Sequence, residues 1–288
     1  MTAIPRALSI GLSPLADPAR WLEPDDRLAA QLGEKERLIA TYPKQVFMAE
    51  PDTLDAQREI DALLRAHLVA AFPQTYRAGG DAVIVAGRRV ERTSGDDRVL
   101  QNTARLVADD LVIMRKRADG WTLAAASLCF PTFWNLAEKF ARPITAIHAP
   151  VPGFSEGTRN AVLVERIFDK LQVGQQVQRS NWSVHNDGEL HHIEPHGIPI
   201  NCSDAATMAR LFLRREYQTL TKLPASGDIL FTIRVHTDPL EDIESVPGRC
   251  AALADRLMEL DAEGLAYKGL TAGRDRLVGY LRHAAEVA

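Results

Sequence analysis

Three pairs of extended, apolar-rich runs, each joined by a short turn ending in glycine, constrain this chain more than any other feature. Residues 110–117 (DLVIMRKR) and 121–130 (WTLAAASLCF) flank Ala118-Asp119-Gly120. Residues 177–185 (VQRSNWSVH) and 189–194 (ELHHIE) flank Asn186-Asp187-Gly188, and 211–223 (LFLRREYQTLTKL) and 228–236 (DILFTIRVH) flank Pro224-Ala225-Ser226-Gly227. Asn, Asp and Gly accept the positive φ angles of tight hairpin turns, so each pair is predicted to fold as an antiparallel hairpin. In the last run Phe231, Ile233 and Val235 alternate with Thr232, Arg234 and His236, the pattern of a strand buried on one face. A shorter apolar run at 82–86 (AVIVA) also reads as a strand.

Helical periodicity fills most of the rest. Residues 25–40 place Leu28, Leu32 and Leu38 among charges, and 54–72 place Ile60, Leu63, Leu64, His67, Leu68 and Ala71 on one face before Pro73 stops the helix. A short helix is expected over 133–141 and another over 157–171, while three prolines forbid one long helix over 143–154. Residues 246–287 read as helical, interrupted at Tyr267-Lys268-Gly269, and residues 1–23 as an extended arm. The expected class is therefore α/β of the α+β kind: a PAS-like antiparallel sheet with a helical insert, plus N- and C-terminal helical decoration. Residues 1–80 form the arm and packing helices in this reading, 81–240 the core and 241–288 a helical tail, all in one structural unit.

Composition removes several classes of function. With 46% hydrophobic and 25% charged residues and a net charge of -4, the 288-residue chain is that of an ordinary globular protein. Lys and Arg are interleaved with Asp and Glu, so no nucleic-acid partner is expected. No apolar run is long enough to cross a bilayer and the first residues lack a signal-peptide core, so no membrane partner and a cytoplasmic location are expected. Cys129, Cys202 and Cys250 are far apart and form no CxxC pair, which argues against a structural zinc, a ferredoxin-type cluster or covalently attached haem. Any electron-transfer cluster would belong to another chain. Neither GxGxxG nor GxxxxGK[ST] occurs.

The candidate residues each carry a plain alternative. His148 lies in the Pro-stiffened apolar segment Ile147-His148-Ala149-Pro150-Val151-Pro152, which suits a neutral imidazole held toward a metal or a buried histidine bonded to a carbonyl. His67 is a reserve metal ligand or a core histidine. His185, His191, His192 and His196 with Glu194 lack the HExxH spacing, so they form a solvated hairpin or a zinc site. Arg214, Glu216 and Gln218 share one strand face, either a solvated salt-bridged surface or a polarised pocket with a cation for an anionic oxygen and a carboxylate for an ammonium. Arg179 meets an acidic group of a ligand or faces water, and Trp182 is most simply core.

Taken in order, these segments resemble one family. Asp109-Asp110-Leu111, Cys129-Phe130-Pro131 with Trp134 and Glu138-Lys139, and Ile147-His148-Ala149-Pro150-Val151-Pro152 begin the match. Arg179 followed by Asn181-Trp182-Ser183 extends it. Arg214, Glu216, Gln218-Thr219-Leu220, Leu223-Pro224, Phe231-Thr232-Ile233-Arg234 and Tyr267-Lys268-Gly269 continue it, and Trp21-Leu22 fits at the start. The chain resembles the alpha subunit of haem-dependent oxidative N-demethylase from about residue 20 to about residue 285. The resemblance implies a PAS domain holding non-covalent haem b. It implies O2-dependent demethylation of a small secondary methylamine, such as dimethylamine, to the primary amine and formaldehyde. NADPH would supply the electrons through FMN and [2Fe–2S] centres on reductase or ferredoxin-type partner subunits.

Carried over, His148 becomes the axial ligand of the haem iron, with Arg179, Trp182 and Gln218 in the cofactor-binding set. Arg214 and Glu216 become the catalytic pair, Arg214 to stabilise charge on oxygen and Glu216 to bind the amine. Tyr217 and Lys222 depart from the family's more usual arginines, and Arg27-Leu28 from a more usual aromatic, which bears on substrate and docking more than on haem. A non-catalytic haem sensor of the same fold stays open as the alternative.

Overall fold

The structure, a computed structural model, describes residues 4–93, 95 and 98–287. Among them ten strands form two antiparallel sheets: β1 Ser13–Pro14, β2 Phe47–Ala49, β3 Tyr76–Gly79, β4 Ala82–Val85, β5 Arg88–Val90, β6 Asp110–Arg117, β7 Gly120–Ser127, β8 Val177–His185, β9 Phe212–Lys222 and β10 Ile229–Pro239. The main sheet runs β1-β8-β9-β10-β6-β7-β2, and β3-β4-β5 form a small second sheet. Eleven α-helices accompany them among the described residues. The expected boundary at 80/81 falls inside the β3–β4 hairpin, whose register pairs Gly79 with Ala82.

Two of the three expected hairpins form. β6 and β7 meet around Gly120, whose φ of +119° only glycine adopts readily, and β9 pairs with β10 along its whole length. The third does not: residues 189–194 make no strand against β8. Their backbone turns instead to the loop after β7, with His192 N–H donating to the Pro131 carbonyl at 3.2 Å and Phe133 N–H to the His192 carbonyl at 2.9 Å. The Asn186 side chain ties the turn to Pro199 and Asn201 rather than closing a hairpin. A long-range contact has outcompeted a sound local turn signal.

Alternation sorts the sheet's two faces. On one, Leu111, Ile113, Ala125 and Leu230 pack under the helices Leu28–Thr41 and Leu54–Ala71. On the other, Val112, Met114, Leu123 and Ile233 face the insert between β7 and β8, which carries the helices Leu136–Lys139, Ile144–His148 and Arg159–Lys170. A third cluster joins Trp182, Val184 and Leu213 to the helices Arg249–Met258 and Arg274–Val287. No helix among the described residues is long and apolar enough to cross a membrane.

A β-bulge decides how the insert hangs on the sheet. The β6–β7 register shifts between Ile113 and Met114, so Ala124 is an extra residue and Leu123 turns to the same face as Ala126. The bent strand then pairs beyond the sheet: Leu123 N–H donates to the Arg142 carbonyl (3.1 Å) and Ala141 N–H to the Leu123 carbonyl (2.9 Å). Pro143 follows with extended φ and ψ and starts the short helix Ile144–His148.

Candidate functional site

The insert and the sheet enclose a cavity of about 440 Å³, within the roughly 300–1,000 Å³ of small-molecule and cofactor sites. One end is apolar, lined by residues such as Met114, Leu123, Ile144, Ile167, Phe231 and Ile233. The other is polar and built on β8 and β9, with Arg179, Asn181 and Ser183 on one strand and Glu216 and Gln218 on the next. Leu8, Ile10 and Leu12 of the N-terminal arm close one side, so the arm is a wall of the site.

His148 lines this cavity from the last residue of its short helix. Lys139 Nζ donates to the Ile147 carbonyl at 3.0 Å, and Val151 N–H returns to the His148 carbonyl at 2.8 Å, so both flanks are fixed. The imidazole is pushed down to about 4, first by burial and then by the charges of Arg179 and Lys139, against a hydrogen bond to the Ile144 backbone. It is therefore neutral near pH 7. A neutral imidazole has one ring nitrogen with a free lone pair, the form in which it can ligate a metal.

Glu216 sits at the centre of a hydrogen-bonded chain. Thr132 Oγ1 donates to Glu216 Oε1 and itself accepts from Arg214 Nε at 2.8 Å. On the other side Gln218 Nε2 donates to Glu216 Oε2 at 2.8 Å, while Arg179 Nη1 donates to Gln218 Oε1 at 3.1 Å. Two arginines thus act on one carboxylate through neutral intermediates, not through a direct ion pair. The arrangement orients the carboxylate yet leaves its charge free for a cationic ligand.

Of the two readings left open for Arg214, Glu216 and Gln218, burial removes the solvated face: their exposures are 0%, 9% and 7%. Arg214 lies one layer behind the cavity surface. Its Nη atoms donate to the carbonyls of Glu189, Phe130, Pro131 and Leu190, so the guanidinium braces two loops. Burial pulls it down to about 10, and it remains cationic near neutrality. Arg214, expected to act directly on a ligand, is not among the residues lining the cavity and is linked to Glu216 through Thr132. Trp182 is corrected as well. It lies on the opposite face of β8 from Arg179, Asn181 and Ser183, packs in the third core cluster, and donates Nε1–H to the Pro5 carbonyl at 2.9 Å. The two-residue strand period from Arg179 gives this face directly.

The histidines divide. His67 bonds the Trp21 carbonyl at 2.7 Å and lies outside the cavity. His185, His192 and His196 gather around Phe133, with ring centroids 4.6, 5.4 and 5.7 Å from it. His185 is 1% exposed and bonds Ser183 Oγ at 2.8 Å, so this is no solvated hairpin. Among the described residues no group of three or more His, Cys, Asp or Glu is arranged to hold a metal ion. Phe133 has a φ of +59°, a strained value for an aromatic residue, held by its bond to His192. The preceding loop is set by Asp110, whose two oxygens accept the Cys129 and Phe130 N–H groups at 2.8 and 2.7 Å.

The family of haem-dependent oxidative N-demethylase, alpha subunit-like proteins matches residues 11–278. The chain belongs to that family. The family's name carries haem dependence, oxidative demethylation at nitrogen and an alpha subunit that implies partners. The motifs Cys129-Phe130-Pro131, Arg214 with Glu216, and Tyr267-Lys268-Gly269 converge on the cavity or its bracing. Sequence reasoning missed Thr132, Asn181, Ser183 and His196 as cavity residues, and Lys268 most of all. Only the C-terminal motif signalled Lys268, because its neighbours in space are some 90 residues away in sequence (Trp182, |i−j| = 86).

Proposed function

We propose that this cavity would bind haem b without covalent attachment, with His148 the residue that would hold its iron, inside a PAS-like domain that oxidatively demethylates a small secondary methylamine. The supporting observation is His148, which ends its short helix with both backbone flanks fixed and lines an apolar cavity that also contains Glu216. The residues fit the porphyrin in two further ways. The apolar end suits the macrocycle, and Arg179 Nε, shielded from solvent and without a partner among the described residues, suits an acidic propionate. The sheet with a helical insert between β7 and β8 supports the PAS-like reading.

In this reading the haem supplies the redox chemistry. The net reaction takes one O2, two electrons and two protons, and turns the methylamine into the primary amine, formaldehyde and water. Electrons come from NADPH through flavin and iron–sulfur partner subunits. The chain itself binds and orients. Glu216 draws in the alkylammonium and takes up its N–H proton at Oε2 or Oε1. Thr132 and Gln218 fix the direction of that carboxylate. Arg214, through Thr132, is a positioning residue. The apolar wall and the arm residues Leu8, Ile10 and Leu12 exclude water from the amine.

The test is formaldehyde release by the haem-supplemented chain with a chemical reductant, O2 and a panel of methylamines. Amine-dependent formaldehyde supports the enzyme reading. Haem binding without turnover of any methylamine would instead leave a sensor.

A further inference from the structure

The polar end of the cavity contains more positive charge than an amine site needs. Lys268 is 7% exposed and lines the cavity, and among the described residues its ammonium meets one hydrogen-bond acceptor, the Trp182 carbonyl at 2.6 Å. An ammonium has three donors, so two remain for whatever enters. The indole of Trp182 lies under it at 5.0 Å, which steadies the cation without using a donor. Burying such a group is costly unless a function or a partner compensates.

Its position relative to Glu216 is informative. Asn181 is the direct cross-strand partner of Glu216, and Trp182, whose carbonyl holds Lys268, is the next residue. Arg179 lies one row the other way, opposite Gln218. Successive rows on a strand face are about 6.6 Å apart. The cavity therefore has a cation on each side of its central carboxylate: Arg179 toward His148, and Lys268 toward Tyr267 and His196. Lys268 and Glu216 act on each other through space without an ion pair.

We infer that Lys268 marks an anion subsite for the substrate itself, so that the substrate is an N-methylated amine that also bears a carboxylate. This inference rests on the amine-binding role of Glu216. The substrate ammonium lies on Glu216 and its carboxylate on Lys268. The Tyr267 hydroxyl and His196 Nε2, bonded to each other at 2.9 Å, form the adjoining polar wall. Arg179, on the His148 side, is left for the cofactor's acidic groups. Gly269 fixes the lysine's backbone: its φ is +70° and a Cβ there would come within 1.9 Å of the Ile198 carbonyl oxygen.

The experiment is calorimetric titration of the haem-supplemented full chain with N-methylglycine and with N-methylglycinamide. Both are ammonium ions near neutral pH and differ only in the carboxylate. The acid is expected to bind at least ten-fold tighter than the amide, and Lys268→Met to abolish that preference while its haem absorption matches wild type. Equal binding, or tighter binding of the amide, overturns the inference with no variant needed, so a misfolded Lys268→Met does not shield it. Loss of haem uptake in a folded Lys268→Met also overturns it, because the lysine then serves the porphyrin. Glu216→Gln separates the two readings: it should weaken acid and amide alike, and a chain that takes up no haem yet prefers the acid keeps the subsite and loses the cofactor.

Discussion

Thr132→Val removes one hydroxyl from the chain that orients Glu216 and nearly preserves side-chain shape. In the native protein that oxygen accepts from Arg214 Nε at 2.8 Å and donates to Glu216 Oε1. Without it, a fully buried guanidinium N–H has no acceptor and a carboxylate oxygen has lost a donor. An unsatisfied buried polar group costs about 1–3 kcal/mol, and Glu216, on the cavity wall, regains part of its loss from water. The expected destabilisation is about 2–4 kcal/mol. Unfolding entropy for a chain of 288 residues is about 0.6 kcal/mol per kelvin, so the melting temperature should fall by about 3–7 °C. Circular dichroism melting reads this directly, and Thr132→Ser, which restores the hydroxyl, should recover most of it. A Val variant melting within about 1 °C of wild type, or a Ser variant melting like Val, refutes the argument that this hydroxyl joins Arg214 to Glu216.

Three further outcomes follow from particular contacts. Glu216→Gln should weaken methylamine binding by about 10- to 100-fold, the worth of a charge-assisted hydrogen bond in a shielded site, and leave haem uptake unchanged; calorimetry with unaltered amine affinity would count against the assignment. His185 is held down to about 2 by burial and then by Arg214, His192 and Lys268, against about 6.5 in the unfolded chain, so the unfolded state binds more protons below pH 6.5. Stability should therefore fall as the pH drops below about 6.5, at up to about 1.4 kcal/mol per pH unit from this residue, and His185→Phe should flatten urea-unfolding midpoints over that window. Gly269→Ala should fail to accumulate as folded protein, since its Cβ collides with backbone, whereas Gly227→Ala, with a similar φ of +75° and nothing within 4 Å, should cost only about 1–2 kcal/mol in a denaturation series.

The sheet was readable where sequence-local chemistry decides it. The β6–β7 and β9–β10 hairpins follow from a turn and two alternating runs, and the structure has both. The run 189–194 was misleading because the Glu189 and Leu190 carbonyls accept from Arg214 and the His192 N–H donates to Pro131, partners no window of ten residues contains. β1 and β2 are two and three residues long and give almost no period to detect. The bulge at Ala124, which aims the His148 helix, depends on register with β6 and is invisible in one strand alone.

At the site, alternation gave the shared face of Arg214, Glu216 and Gln218 but not its burial, since a wet face and a cavity wall have the same period. The same alternation placed Asn181 and Ser183 beside Arg179 and Trp182 away from them, a reading within reach of the sequence. His148 stood out because prolines and apolar neighbours surround it. Lys268 did not, because what makes it unusual is the carbonyl of Trp182 and the carboxylate of Glu216, both supplied by distant strands.

The central claim is that His148 ligates haem iron. Absorption titration of haem into the purified wild-type chain and into His148→Ala tests it. The account predicts saturable uptake at one haem per chain with a histidine-ligated spectrum, and in the variant a changed spectrum with weaker uptake that added imidazole partly restores. Wild-type protein that takes up no haem, or a His148→Ala spectrum indistinguishable from wild type, contradicts it.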